Sequence, residues 1–467
     1  MKKLVPHACI ALAFAFAASA PAFSEEAQGD WGGVIAGTIR VTAHITKAPD
    51  GSYHADLGSP DQTKELMVAD KVTASATNLS ISIERLKGKF EGEWDEKQQA
   101  WVGTWSQGKS TPLVLKRVDA KGMARLVFKR PQEEAIAKSA APYSAQEVSF
   151  ANVKADVKLT GVWSVPPGAG PFPAVVLVAG SGQHTRDEVA FGHKVFMVLA
   201  DHLNRQGIAV LRYDKRGVGA STGNYKLAST YDFAADAEAA VAYLRTRPEV
   251  DARRLGVVGH SEGGMIAPLV AAHDPGLAFI VMLAGPGVRG DKLLTEQTAL
   301  ISRADGRSES DIAKSSSINT EVFAALTAPG TVDDTTALAK TAFDRAVAGK
   351  DIDPADAKTQ LERLNTPWFR AMLAFDPAPT LRLVKQPVLV MNGARDLQVP
   401  AAMNMNAIRA ALPPNKATEF IEMPALNHLF QTATTGAPSE YAGIEETFAP
   451  VALNKISDWI LRLPPAS

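Results

Sequence analysis

The sequence predicts an α/β protein: a mostly parallel sheet with helices on both faces and a helical cap insertion, preceded by a small N-terminal antiparallel β domain. Three observations carry this. After residue 173, short apolar runs alternate with amphipathic stretches, the pattern of parallel strands covered on both sides. Between about residues 291 and 383 the strands stop and only helical patterns remain. Before residue 130 the apolar pattern has period two and is punctuated by turn signals.

At the N-terminus, Lys2 and Lys3 precede an apolar stretch over residues 8–20, and small residues surround Phe23. This reads as a signal peptide, residues 1–24, with Glu25 as the expected mature start and an exported, periplasmic or secreted protein as the result. No later run approaches the ~18 apolar residues of a membrane span, so no stable span is expected once the signal is removed. The single cysteine, Cys9, falls inside that segment. The mature chain therefore has no thiol for a disulfide, a cysteine nucleophile or a thiolate metal site. Lys plus Arg (49) balance Asp plus Glu (50), which leaves no field to draw in nucleic acid.

Residues 25–130 form the expected β-rich domain. Ile39, Val41, Ala43 and Ile45 alternate with polar neighbours, and so do Leu79, Ile81 and Ile83. Trp94, Trp101 and Trp105 continue the alternation, which predicts a closed or half-closed sheet on an aromatic core. Residues 131–146, rich in Ala, Glu and Lys, read as a linker. From there to residue 467 the α/β domain opens on a hairpin at 148–150 and 157–163. Its strands follow at 174–178, 208–212, 255–258, 279–283, 388–391 and 419–423, with helices at 194–206 and 231–246. Residues 291–383, inserted between two strands, read as a cap over the strand ends where ligands bind in open α/β sheets. The apolar stretch 368–373 suits either a pocket wall or the core of the cap.

Gly259-His260-Ser261-Glu262-Gly263 sits between an apolar strand and an apolar helix. A serine in such a strand–turn–helix connection presents its hydroxyl at the top of the sheet, and the glycines tolerate the tight backbone: the nucleophile elbow of an α/β-hydrolase fold. Gly219-Ala220-Ser221-Thr222-Gly223 matches the same pattern and serves as an internal control. It follows a charged turn rather than a strand and leads into no apolar helix, so Ser221 reads as a loop serine.

A serine hydroxyl needs a base to take its proton. In chain order after Ser261, Asp396 and then His428 each follow a predicted strand, which places both on the same edge of the sheet as the serine. The other histidines fit less well; His193, His202 and His273 lie on or beside helices, where a solvated role is the default. Two backbone N–H groups should complete the site as an oxyanion hole: that of Glu262, at the helix start, and that of Gln183 or Gly182, in the glycine-bearing loop after the first parallel strand. Asp214 and Arg216 read as a mutual brace for a neighbouring loop. No metal cluster or nucleotide fingerprint appears, so no cofactor is expected.

Ala179-Gly180-Ser181-Gly182 with Arg186-Asp187, the run from Asp214 to Ser221, the elbow, Asp396 to Pro400 and Asn427 to Gln431 together resemble secreted bacterial esterases of the EstD type. These belong to the superfamily that also holds dienelactone hydrolases and serine aminopeptidases. The resemblance covers about residues 147–463 and extends to Gly103-Thr104-Trp105-Ser106-Gln107 in the β domain. It implies hydrolysis of small carboxylic esters, with Ser261, Asp396 and His428 as the triad. The expected enzyme is an exported serine hydrolase acting on short or medium acyl esters through an acyl-enzyme. An aminopeptidase on the same triad would need a carboxylate to hold the substrate amine, for which Glu321 and Glu362 are the cap candidates. A thioesterase would share the chemistry outright.

Overall fold

The computed structural model describes residues 27–35, 39–59, 66–119 and 129–466. The expected signal peptide lies outside them. The chain divides into two compact units, Met1–Val127 and Phe128–Ser467.

In the first unit nine strands form one antiparallel sheet: β1 (Gly29–Ile35), β2 (Ile39–Lys47), β3 (Tyr53–Gly58), β4 (Met67–Val68), β5 (Lys71–Ala74), β6 (Asn78–Ile83), β7 (Gly88–Asp95), β8 (Ala100–Gln107) and β9 (Lys109–Arg117). Their order is β4-β3-β2-β1-β9-β8-β7-β6-β5. The two edge strands, β4 and β5, are consecutive in the chain. The N–H groups of the two residues that join them donate to opposite edges, Ala69 to Ala55 O (2.8 Å) and Asp70 to Ser82 O (2.9 Å), so the sheet curls into a barrel. The period-two residues of the sequence, Val41, Ala43, Ile45, Leu79, Ile81 and Ile83, are buried inside it.

The second unit begins with a departure from expectation. The first half of the segment read as a linker is a helix, Pro131–Lys138. The Gln132 amide accepts from the N–H groups of Thr447 (2.7 Å) and Phe448 (3.0 Å), and Glu133 accepts from Thr447 Oγ1 and Lys194 N. Its polar residues are anchors for backbone groups more than sixty residues away, which composition alone presents as solvated linker.

The main sheet contains β10 (Ser144–Asn152), β11 (Val157–Val165), β12 (Phe172–Val178), β15 (Ala209–Tyr213), β16 (Val250–His260), β17 (Phe279–Leu283), β18 (Val388–Gly393) and β19 (Glu419–Met423); a short hairpin, β13 (Val189–Ala190) and β14 (His193–Lys194), stands apart. The order is β10-β11-β15-β12-β16-β17-β18-β19, antiparallel at the opening hairpin and parallel from β15 to β19. Two apolar clusters cover its faces, one from Val176, Val257, Ile266 and Ile280, the other from Val175, Val258, Leu199 and Trp459. Six helices between Gly290 and Leu381 make the insertion between β17 and β18, with a core around Phe323, Phe343 and Leu373.

Candidate active site

Every strand that matters to the site ends at one rim. β16 lies between β12 and β17, parallel to both, and runs directly into the helix Glu262–His273. Ser261 is the hinge between them, at φ 55° and ψ −115°. A side chain in that region costs of order 1–3 kcal/mol, so the surroundings must hold it. They do so through Ser261 N–H to Leu283 O (2.9 Å) and Gly264 N–H to Ser261 O (2.9 Å), bonds that involve only the backbone of this half-buried residue. The flanking glycines have a packing cause: a methyl on Gly259 would overlap the Gly263 carbonyl, one on Gly263 the Val178 carbonyl, and one on Gly264 would lie 2.6 Å from Gly285 Cα.

Asp396 and His428 meet. Asp396 Oδ2 lies 2.8 Å from His428 Nδ1, and both side chains are buried. Asp396 Oδ1 accepts from the N–H groups of Gln398 (2.8 Å) and Val399 (2.8 Å), while Asn392, from β18, donates to Oδ2 at 3.3 Å. A carboxylate so fixed accepts the Nδ1 proton of the imidazole, which leaves Nε2 with its lone pair.

His260 ties this pair to the elbow. Its ring centroid lies 4.9 Å from that of His428, and its Nε2 donates to His428 O at 2.9 Å. Its Nδ1 faces Glu188 Oε1 at 3.0 Å, and the same oxygen accepts from Gly180 N–H at 2.6 Å. Burial opposes a charge on His260, but the neighbouring Glu188 carboxylate outweighs it and raises the imidazole above its ordinary value. Burial likewise pushes the Glu188 carboxyl up, and the His260 charge together with the hydrogen bonds brings it below the usual range. The result is a buried imidazolium–carboxylate pair that joins the loop after β12 to the histidine loop. A β-carbon on Gly180 would stand 3.1 Å from Ser261 Cβ, so that loop lies against the elbow. It carries Gly182, at φ 117°, and Gln183, which is exposed.

Glu262 has a side-chain role that the sequence reading missed. Its carboxylate is fully buried, receives Lys215 Nζ at 3.1 Å on Oε2, and accepts from Thr230 Oγ1 (2.7 Å) and Trp368 Nε1 (2.7 Å) on Oε1. Lys215 Nζ also donates to Gly180 O (2.6 Å) and sits over the Phe233 ring. Trp368 belongs to the cap helix Pro367–Ala374. The stretch 368–373 thus divides: Trp368 reaches the elbow, whereas Phe369 and Leu373 fill the cap core.

Three readings need correction. Asp214 and Arg216 do not brace each other: Asp214 takes Arg186 (Nη2 to Oδ2, 2.8 Å), and Arg216 takes Asp236 (Nε to Oδ2, 2.7 Å) and Asp232. Proximity in sequence suggested a pair, whereas each residue finds a partner 20 or more residues away. His193 is not solvated but fully buried, with Thr447 Oγ1, Tyr441 O and the Gln431 amide around its ring. Burial first, and the Arg130 charge second, lower its pKa to about 4. Glu321 and Glu362 are exposed, and Glu321 is paired with Arg345 at 2.9 Å.

A mostly parallel sheet wrapped by helices, with an elbow serine and a helical insertion at its C-terminal rim, defines an α/β hydrolase. The chain belongs to the serine aminopeptidase S33 family (Hydrolase_4), whose model matches residues 171–429, more than half of its length. It is 37% identical over 139 residues to the esterase EstD of Thermotoga maritima, covering 30% of this chain and 33% of that protein. It is 28% identical over 174 residues to the esterase FrsA of Enterobacter sp., covering 37% of this chain and 39% of that one. The chain thus spans between a third and two-fifths of the length of these curated relatives. Among solved structures it is similar to the Pyrococcus furiosus esterase Pf2001, at 15% identity over 68% of this chain and 90% of that one, with a TM-score of 0.41.

Proposed function

We propose that the protein is an exported serine hydrolase that cleaves short or medium acyl esters, with Ser261 as nucleophile, His428 as general base and Asp396 as its orienting acid. The observation that carries the reading is the buried 2.8 Å contact between Asp396 and His428, whose backbone carbonyl bonds to His260, the residue next to Ser261.

In this mechanism His428 Nε2 takes the Ser261 proton as Oγ attacks the ester carbonyl carbon. The oxyanion of the tetrahedral intermediate is received by the Glu262 N–H, at the helix start, and by the N–H of Gln183 or Gly182. Collapse expels the alcohol, protonated by His428, and leaves the acyl group on Ser261. Water, deprotonated by the same imidazole, then releases the acid. The Lys2-Lys3 and apolar N-terminal pattern supports export.

The aminopeptidase reading requires an unpaired carboxylate for the substrate amine. The carboxylate nearest the serine in sequence, Glu262, already holds Lys215, Thr230 and Trp368, and both cap candidates are on the outer surface. This favours esters. A purified-enzyme panel of acyl esters, thioesters and aminoacyl amides tests the reading. Turnover of p-nitrophenyl butyrate exceeding that of aminoacyl amides by about 100-fold or more in kcat/KM is expected, since none of these three carboxylates is placed to hold a substrate amine. The reverse order would replace esterase by peptidase.

A further inference from the structure

We propose that the N-terminal barrel holds a second, non-catalytic binding site, for a small neutral molecule with a monocyclic aromatic or short alkyl body and one oxygen acceptor. The two ends of the barrel differ in how they are filled. At one end Trp31, Trp94 and Trp101 pack edge to face, with centroids 5.2–6.1 Å apart, and Trp31 and Trp101 are fully buried. Past them, toward the end where β1, β3 and β8 finish, lies a cavity of about 180 Å³. Its wall is apolar, with Val41, Leu57, Ile83 and Trp105 contributed by four strands, and its polar groups are Ser59, Gln107 and Thr111.

Size, charge and hydrogen bonding narrow the ligand. Drug-sized ligands occupy clefts of roughly 300–1,000 Å³, so this one is too small for them. An apolar cavity of ~150 Å³ engineered in another protein stays dry and takes up benzene, which sets the scale at one ring or a comparable alkyl chain. The described lining offers no counter-charge, so a neutral molecule enters it at a lower desolvation cost than a carboxylate or an amine. The Gln107 carbonyl accepts from Trp105 Nε1 at 3.3 Å, so the amide N–H groups are turned to donate elsewhere. A phenol or small alcohol meets these conditions. Closed barrels of eight or so strands are wide enough to hold one small ligand, and this wall is closed by the two residues between β4 and β5.

The full chain titrated with p-cresol by isothermal calorimetry tests this. One saturable site per chain is expected. Val41→Phe, which fills the cavity, should weaken it at least tenfold and leave turnover of p-nitrophenyl butyrate unchanged. Gln107→Leu should weaken p-cresol but not toluene, a contrast that stands even if the Val41 variant does not fold. No isotherm with the wild type, equal p-cresol affinity in Val41→Phe, or equal p-cresol affinity in Gln107→Leu would overturn the proposal.

Discussion

Ser221 and Ser261 sit in the same five-residue pattern, and the fold gives them opposite surroundings. Ser221 is buried; its hydroxyl donates to Asp214 O (2.7 Å) and accepts from Thr160 N–H (3.0 Å). It fastens the Asp214–Thr222 turn to β11, and both sides of the hydroxyl are engaged. Ser261 has a positive φ, a strand behind it and a helix ahead, and its backbone is held by Leu283 O and Gly264 N–H. A pattern of glycine and serine therefore specifies only a tight connection. What the connection joins decides whether the hydroxyl is engaged on both sides.

The sharpest way to break this contrast is Ser261→Ala. It should lower kcat on p-nitrophenyl butyrate by about 10⁴–10⁶-fold, with thermal unfolding within a few degrees of wild type. Retained turnover in that variant would dissolve the distinction at once.

The histidines extend the comparison, since His193 and His428 are both buried and only one faces the elbow. The folded pKa of His193, about 4, lies below the ordinary imidazole value of 6.5. The unfolded chain therefore takes up a proton first as the solution is acidified. The associated stability is complete above pH 6.5 and is lost progressively as pH falls toward 4. The shift corresponds to about 3 kcal/mol. Urea titrations between pH 7 and pH 4 should show this loss, and His193→Gln should flatten it; an equally steep curve in the variant would assign the acid sensitivity elsewhere.

Ser221→Ala should show the inverse of Ser261→Ala. Two buried partners lose their hydrogen bond, at a cost of about 1–3 kcal/mol in unfolding free energy, while kcat stays within about threefold. A kcat collapse without destabilisation would move the nucleophile to Ser221. The smallest effect expected is at Trp368→Phe. Glu262 keeps Lys215 and Thr230, so the elbow survives, but the cap loses its polar tie. KM should rise about three- to tenfold with kcat unchanged, from loss of one hydrogen bond to a charged acceptor.

The meeting of Asp396 and His428 at the rim was legible because it follows chain order. An apolar run ending in a loop places the loop's side chains at one edge of a parallel sheet, and Asp396 and His428 satisfy that rule without reference to any contact. The second layer was not legible. Glu188 and His260 are 72 residues apart, and Glu262 and Trp368 are 106 apart. No local pattern marks such partners, because a buried carboxylate is chosen by what the packed chain brings to it. The Asp214–Arg216 reading failed for the same reason: the bonds formed are to Arg186 and Asp236, across 28 and 20 residues.

The amino-acid sequence by itself determined where the parallel strands of the main sheet run, where the insertion falls, and which serine stands at a strand–helix junction, since these depend on periodicity and on glycine at crowded positions. Only the tertiary structure decided that Glu262 is paired with Lys215 and tied to the cap, that His260 clamps the His428 loop to the loop after β12, and that the barrel keeps a cavity past its packed tryptophans. Ionic partners and voids are properties of packing: they arise from side chains that meet only after the backbone has closed, and a linear order does not encode their distances.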